Sequence, residues 1–242
     1  MNRTTLATLA FLAASLAAGP STSGCGDPKG PGGERVVLDV RIAPADVARS
    51  FRTTTGWDVV LTRAELVTGP IYFYEAVPSL SRGRSPWLGI RSAHAHPGHE
   101  GHDEARGELL AGRRVDLLGG AFVGRGAGLT GQVRSATLFF GGSGADEVLA
   151  IEGRATKEGA TRAFRTSVTA AALGGADAPT SVENCPFGGT EIDGDGVVSI
   201  VVGLEGWLDP IDFAEGLEGA QKERLVRGMK VGAAYEFRYS RP

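Results

Sequence analysis

The sequence predicts a mainly β protein: an antiparallel β-sandwich with a long histidine-rich loop and one or two short helices near the C-terminus. Three observations predict it. Short runs rich in Val, Ile, Thr and aromatic residues alternate apolar and polar side chains with a period of two. The 37 glycines fall mainly between those runs, where turns are needed. Helical periodicity is confined to one stretch late in the chain.

The first strand is expected at residues 35–42, where Val36, Leu38, Val40 and Ile42 share one face. Residues 57–62 and 71–74 read as two further strands separated by a turn at Gly69-Pro70. Residues 78–106, rich in Pro, Ser, Arg, Gly and His, form an excursion from the sheet, and loops of that length in compact domains are functional or disordered. Strands resume at 114–118 and 131–140. The clearest hairpin joins 147–155 to 163–171 around Lys157-Glu158-Gly159. A tight Asp193-Gly194-Asp195-Gly196 turn leads into a strand at 197–202. Residues 207–227 are the best helix candidate, as two pieces broken near 216–219, and 233–239 form a closing strand.

The N-terminus carries Arg3 and no acid, followed by an apolar run from Leu6 to Ala18 that is too short to span a bilayer. This is the form of a signal peptide, expected over residues 1–24. Thr22-Ser23-Gly24 leads directly to Cys25 and resembles the cleavage site of bacterial lipoproteins, with Thr22 in place of the usual Leu. The resemblance implies that Cys25 is acylated and anchors the protein to a membrane. With ordinary signal-peptidase cleavage, Cys25 would instead be a thiol able to pair with Cys185, the one other cysteine. Residues 25–34 have almost nothing apolar to bury and are expected to be a flexible tether, leaving 35–242 as a single domain. A net charge of −3, from 25 basic and 28 acidic residues, offers no basic face for nucleic acid.

The functional signal is the stretch His94-Ala-His96-Pro-Gly-His99-Glu-Gly-His102-Asp103-Glu104, which holds all 4 histidines of the chain. Residues spaced i, i+2 on an extended chain point the same way, and Pro97-Gly98 can fold the second pair back onto the first. Neutral imidazoles suit copper or zinc, with Asp103 and Glu104 as additional ligands. The competing reading is a solvated polar loop whose histidines merely titrate.

Catalytic patterns fit poorly. His94-Ala-His-Pro-Gly-His99 places Gly98 where metallo-β-lactamases need Asp, and His99-Glu-Gly-His102 is one residue short of the helical His-Glu-x-x-His zinc motif. Gly126-Ala-Gly128-Leu-Thr-Gly131 matches a dinucleotide fingerprint in spacing, but it precedes a strand and is expected to be a loop. Gly142-Ser143-Gly144 lacks the spacing of a hydrolase elbow. Asp193 and Asp195 begin a calcium-loop pattern, yet Val202 stands where the bidentate acid belongs; a hairpin turn is the simpler account, and calcium is not expected. Trp57, Trp207 and the Tyr72–Tyr74 run are expected to be packing residues.

Taken together, the segments 56–62, 69–73, 94–99, 115–118, 193–196 and 207–213 resemble a group of uncharacterised exported bacterial lipoproteins. That resemblance implies export and a β fold but brings no activity. In strand-and-turn layout alone there is a fainter similarity to the periplasmic copper proteins associated with methanobactin. The expectation is therefore a non-enzymatic, envelope-anchored protein of the periplasm that binds copper or zinc. The alternative is a structural or interaction lipoprotein with an envelope protein as partner. Mass spectrometry of the mature N-terminal peptide should find a diacylglyceryl group on Cys25; an unmodified peptide beginning before Cys25 would exclude lipidation.

Overall fold

In the computed structural model the described residues are 32–44, 49–76, 105–141, 146–174, 180–188 and 191–242. The strands in chain order are β1 (Arg35–Ile42), β2 (Ser50–Arg52), β3 (Asp58–Tyr74), β4 (Ala105–Leu109), β5 (Arg113–Asp116), β6 (Ala121–Leu129), β7 (Gly131–Gln132), β8 (Ser135–Phe140), β9 (Glu147–Lys157) and β10 (Ala160–Thr169). After a short helix α1 (Ala170–Gly174) come β11 (Ser181–Pro186), β12 (Glu191–Ile192) and β13 (Gly196–Val202). Helices α2 (Leu204–Leu208) and α3 (Gly219–Met229) precede the last strand, β14 (Tyr235–Ser240). The fold is mainly β with a few short helices.

Twelve strands belong to one sheet that curls upon itself, so the facing layers are parts of a single sheet; β7 and β12 form a separate two-stranded pair. Pairing runs from β11 through β8 to β3, then β4, β6, β1, β13 and β14. The circuit closes where Phe187, just beyond β11, bridges Phe237 on β14 and the Gly188 amide donates to the Phe237 carbonyl at 2.8 Å. Pairing is antiparallel except between β1 and β13, which run parallel from Leu38↔Gly196 to Ile42↔Ile200.

Strand β1 follows its sequence pattern directly. Val36, Leu38, Val40 and Ile42 are all buried, as strict alternation with one apolar face requires. The enclosed space is filled by side chains. Phe73, Phe187 and Phe237 are almost wholly buried; Phe73 meets the other two edge-on at 5.7 and 6.1 Å, and Phe187 stacks on Phe237 at 6.2 Å. Aromatic pairs at these separations add to the large apolar area they remove from water.

Three expectations are corrected. The Gly69-Pro70 turn does not exist: β3 is one strand of 17 residues running straight through it. Its first part pairs with β9 and its last part with β4 and β8, with register shifts at Leu61/Arg63, Thr68/Ile71 and Phe73/Tyr74. The Gly-Pro pair bends the strand where partners change, a place where a missing amide and a missing side chain are tolerated.

The expected loop at Gly126–Gly131 is largely strand, because Gly126 and Gly128 lie within β6. Its glycines reflect crowding: a Cβ at Gly126 would sit 2.5 Å from the Glu108 carbonyl oxygen of the neighbouring strand β4. The turn at 193–196 does not close a hairpin, since β12 pairs with β7 whereas β13 pairs with β1 and β14.

The β9–β10 hairpin forms as expected. Both turn residues take positive φ, Glu158 at 51° and Gly159 at 80°, the conformation that matches strand twist in a two-residue turn. The helical stretch is broken where expected, into α2, a 3-10 turn at Phe213–Glu215, and α3. Phe213 from this stretch packs on Trp57 of the strand layer at 5.9 Å and on Phe164 of β10 at 4.8 Å.

Replacing Phe73 with Ala should destabilise the protein by about 3–5 kcal/mol, the range for emptying a buried aromatic site. The same change at half-exposed Phe122 should cost about 0.5 kcal/mol or less. Urea denaturation of the two variants checks the difference; equal losses would place the closure elsewhere.

Candidate functional site

Strand β3 ends and β4 begins as neighbours, with Tyr74 paired to Ala105. The sequence joining them carries His94, His96, His99, His102, Asp103 and Glu104, all of which lie outside the described residues, as does Cys25. The stem from which that sequence departs is well defined. The Arg134 amide donates to the Tyr74 carbonyl at 2.9 Å, and the buried Ser135 hydroxyl donates to the Ala76 carbonyl at 2.7 Å. These bonds fasten the last residues of β3 to the start of β8.

Arg106, one residue into β4, is the most heavily engaged side chain here. Its Nε and Nη2 donate to one carboxylate oxygen of Glu75 at 3.0 and 2.6 Å. Its Nη1 donates to the carbonyls of Gly32 at 2.9 Å and Thr130 at 3.2 Å. The Arg106 side chain is only 11% exposed, whereas Glu75 is 57% exposed. A guanidinium removed from water this far needs each of those acceptors, and the fork geometry supplies them.

The chain enters the sheet beside that stem. The Thr130 amide donates to the Glu34 carbonyl at 2.9 Å, and the Glu34 amide donates to the Thr130 hydroxyl at 2.9 Å. Residues 32–34, the last of the expected tether, are therefore hydrogen-bonded to the fold. Two glycines make the arrangement fit. A Cβ on Gly33 would lie 2.5 Å from the Thr130 carbonyl oxygen; one on Gly131, whose φ is +132°, would lie 2.9 Å from the Arg106 guanidinium.

The Asp193-Gly-Asp195 turn also adjoins the start of β1. Arg241 clasps both carboxylate oxygens of Asp193, and the Tyr239 hydroxyl donates to one of them at 3.1 Å. Those donors, Arg241 foremost, hold the Asp193 carboxyl below its ordinary range. Burial, and then the nearby Asp193 charge, raise the Tyr239 hydroxyl. The Asp195 carboxylate accepts from the Val37 amide at 2.7 Å. Both acids thus serve structure, and Val202 at the missing ligand position is buried in β13. Among the described residues there is no group of three or more His, Cys, Asp and Glu side chains placed to hold an ion.

Cys185 is a free thiol with no exposed surface, and burial pushes its pKa up to about 12, so it packs as a small apolar group. Trp57 and Trp207 are buried, as expected of packing residues. The Trp57 indole donates to Asp212 at 3.2 Å, Lys157 lies 5.8 Å above its ring, and Thr54 binds Asp209 through both amide and hydroxyl. This cluster docks the helical stretch onto the strands. A shallow groove of about 470 Å³ lies beside α3, lined by Gly206, Pro210, Arg224, Arg227, Gly228 and Val231.

Sequence reasoning found the histidines but not Arg106 and Glu75, whose approach depends on the β3–β4 register. No helix among the described residues is long and apolar enough to cross a membrane. No known protein family, curated protein or solved structure matches the chain.

The Asp193 carboxyl is depressed in the folded state, so its contribution to stability is present above the ordinary carboxylate pKa of about 4 and is lost as pH falls through the folded value. Asp193→Asn should therefore lower the melting temperature at pH 7, with the gap to wild type closing as pH falls below the ordinary carboxylate range. A pH-independent gap in calorimetry would show that the ion pair is not its source.

Proposed function

We propose that this chain is a non-enzymatic, exported lipoprotein, anchored through Cys25. It binds a transition metal ion, copper or zinc, through His94, His96, His99 and His102, for uptake, buffering or delivery in the periplasm or cell envelope. One observation carries the reading: the chain's 4 histidines all fall within residues 94–102, in the sequence that links two paired strands. An even scatter of histidines would give isolated titrating groups, whereas this spacing gathers several borderline-soft nitrogen donors around one ion. Asp103 and Glu104 add oxygen donors beside them.

Several described features support the reading. The curled sheet is a filled, rigid core, so the chemistry falls to the segment it displays. Asp193 and Asp195 are engaged by Arg241, Tyr239 and the Val37 amide, which speaks against them as competing ligands. The burial of Cys185 removes the other soft ligand from competition.

A second reading, a structural lipoprotein that docks an envelope protein, draws on the groove beside α3, where Arg224 and Arg227 are exposed next to Val231. It predicts a stable protein partner and no preferential metal uptake.

Isothermal titration of the protein with copper(II) and with zinc separates the two. Saturable binding should be lost when all four histidines become Ala, and wild-type affinity should fall on acidification because imidazole ligates only as the neutral base. Unchanged affinity in the four-Ala variant would remove this proposal.

A further inference from the structure

We propose that Arg106 couples the entering chain to the β3–β4 stem, so that the hold of residues 32–34 on the fold and the order of the stem rise and fall together. The geometry is that of a shared clamp. One guanidinium bonds simultaneously to the Gly32 carbonyl, the Thr130 carbonyl and the Glu75 carboxylate. Gly32 belongs to the entering chain, Thr130 to the turn that receives it, and Glu75 to the end of β3. Arg106 itself stands at the start of β4.

The clamp is costly to break partway. With the Arg106 side chain 11% exposed, withdrawing the Gly32 carbonyl leaves a largely desolvated cation short of an acceptor, and its remaining bonds must rearrange. The Thr130 carbonyl transmits the same disturbance, because it accepts from Arg106 and also lies against Gly33. Glycine at 33 and at 131 keeps both approaches open, so the clamp rests on backbone fit as well as on charge. Arg106 is accordingly a positioning residue.

The coupling stands on this geometry alone; its bearing on metal rests on the metal-binding reading. If an ion at the histidines orders the stem, linkage requires that it also tighten the entering chain, by the same factor by which the entering chain strengthens metal binding. A tether attached at residue 32 would then register whether metal is bound.

Hydrogen exchange of the full chain in detergent tests this. The probe variant is Gly33→Val, whose Cβ would meet the Thr130 backbone and Leu129; Glu75→Gln and Arg106→Met perturb the clamp directly, and Arg125→Met is a surface control. Without metal, Gly33→Val should speed exchange of the Arg134 amide and of the amides at 105–107 by about tenfold, as should Glu75→Gln. Faster exchange confined to residues 32–34 and 129–131 would overturn the coupling. If Arg106→Met does not fold, the other two variants still decide it.

In the second arm, copper(II) or zinc should slow exchange of the Glu34 and Thr130 amides in wild type, and Gly33→Val should weaken metal binding several-fold, on the order of 5-fold. Metal that binds without either effect overturns the linkage to metal. A flat titration overturns the metal-binding reading, and the tether–stem coupling is then judged by the metal-free exchange.

Discussion

The structure depends on the closure of its sheet around Phe73, Phe187 and Phe237. A sheet this large twists as it grows, and its two ends must either stay apart as open edges or meet. Here β11 and β14 meet, among the described residues, through the Phe187–Phe237 bridge and the bond from the Gly188 amide to the Phe237 carbonyl, a much shorter run of pairing than joins the other strands of the circuit. The three rings lie on three separate segments, so the apolar surface they remove from water links the ends of the circuit directly. The interior is thereby filled, and β3 is paired on one side by β9 and then β8 and on the other by β2, β5 and β4 in turn. The positions of the stem and of the chain entry follow from that pairing.

Much of the architecture is legible in the sequence because the governing forces are local. Alternation in β1, the two left-handed residues at Glu158-Gly159 and the break between α2 and α3 each follow from a few neighbouring residues. What escapes a linear reading is set by crowding between distant segments. Gly126 signals a loop by composition, yet it lies within β6, where the Glu108 carbonyl of the neighbouring strand β4 leaves no room for a side chain. Gly69-Pro70 signals a turn, yet the pair bends a strand that stays extended because partners flank it. The histidine cluster is visible at once, since ligand chemistry is written in residue type and spacing. Arg106 and Glu75 are not, because a lone Arg and a lone Glu 31 positions apart carry no signal until β3 and β4 come into register.

The candidate site divides labour between two kinds of structure. The curled sheet contributes the frame, down to the Asp193-Gly-Asp195 turn, whose carboxylates resemble ligands by sequence but act as braces for Arg241, Tyr239 and the start of β1. The proposed donor atoms belong to the sequence that joins β3 to β4, two strands that pair with each other. The clamp at Arg106 lies at the junction of the two, where a rigid frame meets a chain that must be held.

The parallel pairing of β1 with β13 has a consequence for how this chain reaches its final form. Strand β1 lies between β6 and β13, and β13, whose Gly196 stands opposite Leu38, is flanked in turn by β14. Loop-closure entropy for that contact must be met before the contact returns any stability, so such topologies fold slowly. A chain emerging N-terminus first from a ribosome cannot seat β1 on its parallel neighbour until β13 has followed. Until then β6 alone can pair with β1, and the other edge of the strand that carries Val36, Leu38, Val40 and Ile42 stays open, the kind of segment that chaperones recognise.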